Sequence, residues 1–220
     1  MLFIYTNIIA GLLVIALLIT AFAMEGFKFK VKTLHITMVS VICALSVILT
    51  NLLGYNVSIF SVNIHLSLGQ WLMFLIGFYF GPILGVLSSI ATDTIGDLIN
   101  IGGGVYHAGF LLNIVLVGFT GALIKYMGIK HFLTLKIILL YSLIFCIQSL
   151  ILNPIWIYSM GLTELVYVDL AIKLAKLPVS LFIYNSLLIT TIKFFKSFLL
   201  TNEIDFWIYK PIKNKKNKWA

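Results

Sequence analysis

Residues 81–110 read GPILGVLSSIATDTIGDLINIGGGVYHAGF. Every fourth position in the first half of this stretch carries a small residue or a carboxylate: Gly81, Gly85, Ser89, Asp93 and Asp97. Positions four apart lie on nearly the same face of an α-helix. In lipid, small residues let helices pack closely, whereas carboxylates are costly and usually mark a polar site. The stretch therefore predicts a helix whose packing face leads to an acidic surface.

The composition of the chain is that of a helical membrane protein. Of its 220 residues, 61% are hydrophobic and 10% are charged, and the mean hydropathy is +1.11. A soluble domain does not need so much apolar surface, and several apolar runs are long enough to cross a bilayer. We therefore expect an all-α polytopic membrane protein in the cell membrane.

Seven apolar segments can be marked along the chain. They are Leu2–Ala23, Leu34–Leu53, Leu66–Phe80, Pro82–Ile101, Phe110–Met127, Phe132–Leu152 and Leu170–Phe198. All fifteen basic residues are lysines, and the predicted connections Gly54–His65, Asn100–Gly109 and Asn153–Asp169 contain none of them. Because lysine-rich connections stay in the cytoplasm, we expect six spans from Leu34 onward, with a cytoplasmic C-terminus. The first of these connections is expected to form a short strand or a cap.

The first segment, Leu2–Ala23, is an addition to this six-span unit, and its N-terminus lies outside if it spans the membrane. Two alternatives stay open. Ala21-Phe22-Ala23 resembles a signal-peptide cleavage site, and Met24 offers a later start. No positive charge precedes the apolar run, which favours a retained helix. The predicted organisation is an extra helix at 1–24, a six-helix domain at 25–200 and a basic cytoplasmic tail at 201–220.

Polar and aromatic residues after the glycines Gly102–Gly104 form the first candidate site. They are Tyr106, His107, Phe110 and Asn113. Glycines let the chain approach a ligand closely, and these four side chains offer ring stacking and hydrogen bonds to a flat heterocycle. An interfacial aromatic belt is the alternative interpretation of Tyr106. Asp93 is expected either to hold a structural hydrogen bond or to contact the ligand.

A second cluster is predicted in and after the connection Asn153–Asp169. It contains Trp156 and Tyr158, and then Lys173 and Lys176, which break the charge rule. The two lysines either extend to water at the interface or form a cationic rim over an outward pocket that suits an anionic ligand. Pro178 is expected to bend the last helix at this depth.

Signatures of catalysis are missing from the sequence. There is no HExxH, no serine nucleophile elbow and no Walker motif. Cys43 and Cys146 have no metal-ligand spacing and are expected to be packing residues. We therefore expect no enzyme, cofactor or metal, and no nucleic-acid partner. A membrane scaffold without a ligand is one rival interpretation, and an intramembrane enzyme that brings Asp93 and a histidine together is another.

Several motifs in order resemble the substrate-binding S components of energy-coupling factor (ECF) vitamin transporters. Asp93-Thr94-Ile95-Gly96 is similar to the Asp-x-x-Gly of that family, and His107-Ala108-Gly109-Phe110 is similar to its aromatic-Pro-Gly-Phe turn, with Ala in place of Pro. Ser40 and Ala44 match the place of the family's Ala-xxx-Ala motif, which docks the transmembrane T subunit, with Ser in place of the first Ala. The resemblance covers about Lys32 to Phe198.

The resemblance implies a six-helix S-component bundle, here with one additional N-terminal transmembrane helix. Such a subunit captures a vitamin from outside and associates with a T subunit and two cytoplasmic ATPases, which drive its toppling in the membrane. The segment from Asn153 through Lys173 to Pro178 is most similar to the folate-specific members, and Lys173 or Lys176 would replace their arginine. Folate is the expected substrate. Riboflavin is the rival vitamin, and a cationic vitamin such as thiamine suits the lysines less well.

Overall fold

A computed structural model of the chain describes residues 1–25, 31–51, 55–59, 62–66, 69–99, 106–127, 132–201 and 207. These residues form helices and one antiparallel pair of strands, Tyr55–Ile59 (β1) and Val62–Leu66 (β2), in which Tyr55 lies opposite Leu66. The elements are α1 (Leu2–Glu25), α2 (Thr33–Asn51), β1 (Tyr55–Ile59), β2 (Val62–Leu66), α3 (Gln70–Phe80), α4 (Pro82–Ile99), α5 (Ala108–Leu123), α6 (Leu133–Ile147), α7 (Asn153–Ser159) and α8 (Thr163–Thr201).

Within the described residues, four helical stretches are long and apolar enough to cross a membrane: α1, α2, α4 and the continuous run Leu133–Ser159. Helices α3 and α5 are also apolar but have only 11 and 16 residues. Eleven residues cover about 17 Å, against about 30 Å for the hydrocarbon core of a bilayer. The predicted helical character is confirmed, and these lengths support a multi-pass membrane protein.

Helix α3 forms the centre of the bundle. Every residue from Trp71 to Phe80 is buried, as expected for a helix that is apolar on all sides. It packs against α2, α4, α5 and α8. Because protein surrounds α3, its length does not have to match the thickness of a bilayer.

Helices α3, α4 and α5 meet at glycines that allow contact between backbones. A Cβ added at Gly77 would lie 1.8 Å from the carbonyl oxygen of Gly118. A Cβ at Gly118 would lie 2.4 Å from both the carbonyl oxygen of Gly85 and Ser89 Oγ. Ser89 is fully buried, and its hydroxyl donates to the Gly85 carbonyl at 2.7 Å. The packing role that the sequence predicts for Gly85 and Ser89 is confirmed.

Helix α1 packs along α4 and α5, where it buries Ala10, Val14 and Ala21. At its last residue, Glu25 is 4% exposed, and its Oε2 accepts a hydrogen bond from the backbone N–H of Ile83 at 3.1 Å. A carboxylate at a helix N-terminus satisfies a free N–H group and interacts favourably with the helix dipole. The additional helix is therefore built into the bundle.

The end of the bundle where α1 and α5 end and α4 begins is called the lysine end. Here Lys125 Nζ lies 3.5 Å from the centre of the Trp207 indole ring. The Trp207 backbone N–H donates to the carbonyl of Tyr79 at 2.9 Å. Thr201 and Trp207 are the residues of the predicted tail that the structure describes, and Trp207 is packed against the bundle. The opposite end, where α4 ends and α5 begins, is called the cavity end.

The sequence predicts a loop between two spans at Asn153–Asp169. This prediction is wrong, because α7 and the first part of α8 occupy these residues. Only residues 160–162 separate the two helices, and Gly161 makes the turn with φ of 84°. The last apolar helix thus begins at Thr163, not at Leu170. At the third segment, by contrast, α3 begins later than predicted, at Gln70, because Leu66 ends strand β2.

Two local interactions explain why helix replaces this connection. A π-helical turn, Gln148–Leu152, joins α6 to α7 immediately before Pro154. Such a turn can accommodate a proline, which has no backbone N–H to donate to the helical hydrogen bonds. In α8, Lys173 Nζ lies 2.5 Å from Asp169 Oδ2 four residues earlier, a spacing that stabilises helices. Helix α8 also continues through Pro178.

Candidate functional site

A cavity of about 370 Å³ opens at the cavity end and is called the acidic cavity. Helices α2, α3, α4, α5 and α7 contribute to its wall, together with the residues just before α5 and just after α7. Its lining residues are Ser46, Val47, Thr50, Asn51, Gln70, Met73, Thr92, Asp93, Gly96, Asp97, Tyr106, His107, Phe110, Ile114, Ile157, Met160 and Leu162. The row that begins with Gly81 thus ends in this cavity, as its two carboxylates indicate.

The charge of this cavity comes from Asp93 and Asp97, and no lysine is among its described lining residues. The Tyr106 hydroxyl donates to Asp93 Oδ2 at 3.3 Å. Burial, with the nearby carboxylates of Asp93 and Asp97, raises the pKa of Tyr106, so its phenol stays protonated and can donate. The buried Thr92 hydroxyl makes no hydrogen bond to the described oxygens and nitrogens. The cavity therefore favours a ligand that carries hydrogen-bond donors or positive charge.

His107 forms part of the wall and is only 1% exposed. Its Nδ1 accepts the backbone N–H of Gly109 at 2.9 Å, which caps the start of α5. Burial lowers the pKa of His107, so the ring is neutral at pH 7 and its proton lies on Nε2. That nitrogen is 3.1 Å from both Thr6 Oγ1 and Ser159 Oγ. Both ring nitrogens are thus engaged by the protein, which leaves neither free to act as a base on a ligand.

Helix α1 helps to hold this wall. Besides the Thr6 contact, Asn7 Oδ1 accepts the backbone N–H of Ala108 at 2.7 Å, and the Phe3 ring lies 5.3 Å from the His107 ring, edge on. The contact with Asn7 satisfies the backbone N–H of Ala108, which has no partner within the first turn of α5. Helix α1 therefore positions residues at the cavity, a role that the sequence did not indicate.

Asn113 is the centre of a polar network beside the acidic cavity. Its Nδ2 donates to Asn153 Oδ1 at 2.6 Å, and its Oδ1 accepts from Trp156 Nε1 at 3.2 Å. Its backbone carbonyl accepts from Gln148 Nε2. The Trp156 ring lies 5.4 Å from the His107 ring. The network ties α5 to the π-helical turn, a kind of distortion that is frequent at functional sites.

A second cavity, of about 140 Å³, lies on the other side of this network and is called the basic cavity. Its lining residues are Gln70, Asn113, Phe145, Gln148, Ser149, Asn153, Lys173, Lys176, Ser180 and Tyr184. Lys173 is paired with Asp169, whereas no carboxylate among the described residues forms an ion pair with Lys176. Gln70 lines both cavities.

The structure therefore separates the predicted site residues into two groups. Tyr106, His107, Phe110 and Asp93 meet in the acidic cavity, whereas Asn113, Lys173 and Lys176 meet in the basic cavity. Trp156 supports the wall between them. Tyr158 is 54% exposed and lines neither cavity, so it is not brought into the candidate site. Gly102–Gly104 lie outside the described residues.

Sequence reasoning missed Gln70, Thr92, Gln148 and Asn153. Gln70 and Gln148 each lie inside a segment that the sequence predicts to be an apolar span, and a carboxamide in such a segment is the signal that could have identified them. Thr92 directly precedes Asp93 and was overlooked beside the carboxylates.

Ser40 and Ala44, the predicted docking residues, lie on the exposed face of α2. They line a groove of about 520 Å³ between α2 and α4. Its other lining residues are Val39, Cys43, Val47, Ile48, Leu84, Leu87, Ser88, Ala91 and Ile95. The groove is apolar with small side chains, the composition that allows close approach of another helix.

Among the described residues, no group of three or more histidine, cysteine, aspartate or glutamate side chains could hold a metal ion. Comparisons with protein-family models, with curated proteins and with solved structures found no match.

Proposed function

We propose that this protein is a membrane-embedded solute-binding subunit of an ECF-type vitamin transporter. The observation that carries the proposal is the acidic cavity, a space of about 370 Å³ at one end of an apolar helical bundle, in which two carboxylates and other polar groups stand among apolar side chains. This volume lies within the range of about 300–1,000 Å³ that small-molecule sites occupy. Polar groups at this depth are costly unless they serve a ligand or a structural contact.

The lysines support an outward orientation of this cavity. Lys32 precedes α2 and Lys125 follows α5, so both belong to the lysine end. Lys193 also belongs to the lysine end, because the carbonyl of its neighbour Ile192 accepts a hydrogen bond from the Tyr79 hydroxyl at 2.7 Å. By the positive-inside rule the lysine end is cytoplasmic, and the cavity faces outside. An outward cavity suits a subunit that captures a solute for uptake.

Partner subunits enter the proposal through the sequence and the groove. The chain has no nucleotide-binding motif, so ATP-driven uptake requires partner ATPases. The groove at Ser40 and Ala44 offers a surface on which a T subunit docks in this proposal. The same groove favours a second candidate, a scaffold that associates with other membrane proteins and binds no solute.

Folate is the substrate that the resemblance favours, with riboflavin and thiamine as rivals. The acidic cavity alone repels the carboxylates of folate, whereas the basic cavity alone, at about 140 Å³, is smaller than the sites that usually hold a whole vitamin. Folate therefore requires contact with both cavities in this proposal.

Equilibrium binding of labelled folate, riboflavin and thiamine to the purified chain in lipid nanodiscs tests the proposal. We expect one of them to bind at micromolar concentration or below. Phe110→Ala, in the acidic cavity, should weaken binding about 2- to 10-fold, the effect of losing one aromatic contact. Phe194→Ala is the matched control, because Phe194 is exposed and lines neither cavity. Absence of binding by all three vitamins would favour the scaffold.

A further inference from the structure

The two cavities at the cavity end carry opposite charges and share one wall residue. The acidic cavity contains Asp93 and Asp97, and the basic cavity contains Lys173 and Lys176. Gln70, the first residue of α3, lines both. A cationic rim over one outward pocket is one of the two interpretations that the sequence leaves open for these lysines, and the structure places the two kinds of charge in separate cavities.

The basic cavity has the chemistry of a site for an anionic oxygen group. Its donors are two ammonium groups, several carboxamides and two serine hydroxyls. Lys173, Lys176 and Ser180 follow one another at spacings of three and four along α8, so they lie on one helical face. Ionised donors form the stronger hydrogen bonds to carboxylates and phosphates. A volume of about 140 Å³ suits such a group better than a whole vitamin.

Lys176 is the group that a ligand would neutralise. Asp169 already pairs with Lys173 at 2.5 Å, and no carboxylate among the described residues pairs with Lys176. An unpaired ammonium group that is partly withdrawn from water is unfavourable, and an anion beside it removes part of that cost. An anion bound in the basic cavity would therefore be stabilised by Lys176.

Gln70 separates the two cavities through a side chain that can move. Its carboxamide makes no hydrogen bond within the part of the chain that the structure describes, whereas the residues that follow it in α3 are all buried. Rotation of this side chain requires no break in the wall formed by Asn113 and Trp156. One ligand could therefore extend from one cavity into the other.

We propose that the ligand is bipolar, with a head rich in hydrogen-bond donors in the acidic cavity and a carboxylate or phosphate in the basic cavity, beyond Gln70. This inference rests on the proposed function, because it names the substrate class of the same site. The ligands that bind most tightly are therefore expected to carry an anionic group.

Matched pairs of ligands that differ only in an anionic group test the proposal. The pairs are folate against folate diamide, in which both glutamyl carboxylates are carboxamides, flavin mononucleotide against riboflavin, and thiamine monophosphate against thiamine. Binding to the full chain in nanodiscs is measured for each. We expect at least one pair in which the anionic member binds about 10-fold tighter or more, as one charged hydrogen bond provides. The folate pair reports a carboxylate, and the other two report a phosphate.

Variants of residues on α8 then test which side chain is responsible for the preference for the anionic ligand. Lys176→Gln should reduce the anion preference to about 3-fold or less, and Lys176→Arg should retain it. Lys193→Gln is the matched control, because Lys193 lies exposed on the same helix and lines neither cavity.

Three outcomes overturn the bipolar ligand. Equal binding within every pair, or an anion preference that Lys176→Gln leaves intact, contradicts it while the proposed function stands. Failure of all six compounds to bind contradicts both proposals.

Discussion

Replacement of Gly109 by alanine should damage the wall between the two cavities. A Cβ at this position would lie 2.3 Å from Trp156 Cδ2, whereas ordinary contacts begin at 3.4 Å, so the indole must move by about 1 Å. Overpacking of this kind costs about 1–3 kcal/mol. The displaced indole also loses its 3.2 Å hydrogen bond to Asn113 Oδ1, which adds about 1 kcal/mol. We expect a loss of about 2–4 kcal/mol in the free energy of unfolding.

Thermal unfolding in nanodiscs, followed by tryptophan fluorescence, measures this loss. For a chain of this size, it lowers Tm by on the order of 5–15 °C. Gly11→Ala is the matched control, because a Cβ at Gly11 of α1 would meet nothing within 4 Å, and alanine favours helix over glycine. A Gly109→Ala variant with the same Tm as the wild type would refute the placement of Trp156 against α5.

Three further changes probe the cavity, its wall and the groove. Asp93→Asn keeps an acceptor for Tyr106 but removes a charge, so binding of a ligand with a donor-rich head should weaken about 10-fold. The control Lys193→Gln should leave binding unchanged. Unchanged binding by Asp93→Asn would show that Asp93 is not part of the site. Stability should fall as the pH drops below about 6.5, because the unfolded chain then protonates a histidine that buried His107 leaves neutral. Denaturant unfolding at pH 5.5 and 7.5 should show a smaller difference for His107→Gln, and an identical difference would contradict a neutral buried His107. Ala44→Leu fills the groove at an exposed position, so it should block co-purification with a partner membrane subunit and leave Tm unchanged, and retained association would place docking elsewhere.

Much of the bundle was predictable because its signals are local. Apolar runs predict helices, and the spacing of Gly85 and Ser89 predicts the face on which α5 packs. The end of α6 was not predictable in this way. Pro154 and the polar residues after it suggest a connection, but a π-helical turn and an ion pair between Asp169 and Lys173 maintain helix there.

The candidate site was predictable in its residue types and not in their arrangement. Asp93 and Tyr106 are only 13 residues apart in sequence, so their contact is a local one. Asn113 and Asn153 are 40 residues apart, and Thr6 and His107 are 101 residues apart. Such contacts depend on how helices pack, which periodicity in a single helix does not specify. The separation into two cavities is a consequence of those contacts.

In the proposed function, the acidic cavity faces outside and takes up a solute. Labelling of Asp97→Cys by a membrane-impermeant maleimide in intact cells, in a chain with Cys43 and Cys146 replaced by alanine, tests it most directly. We expect labelling from outside that slows when the bound vitamin is added, while Lys193→Cys reacts only after the cells are permeabilised. Reaction of Asp97→Cys only after permeabilisation, or at a rate that none of the vitamins changes, would contradict the claim.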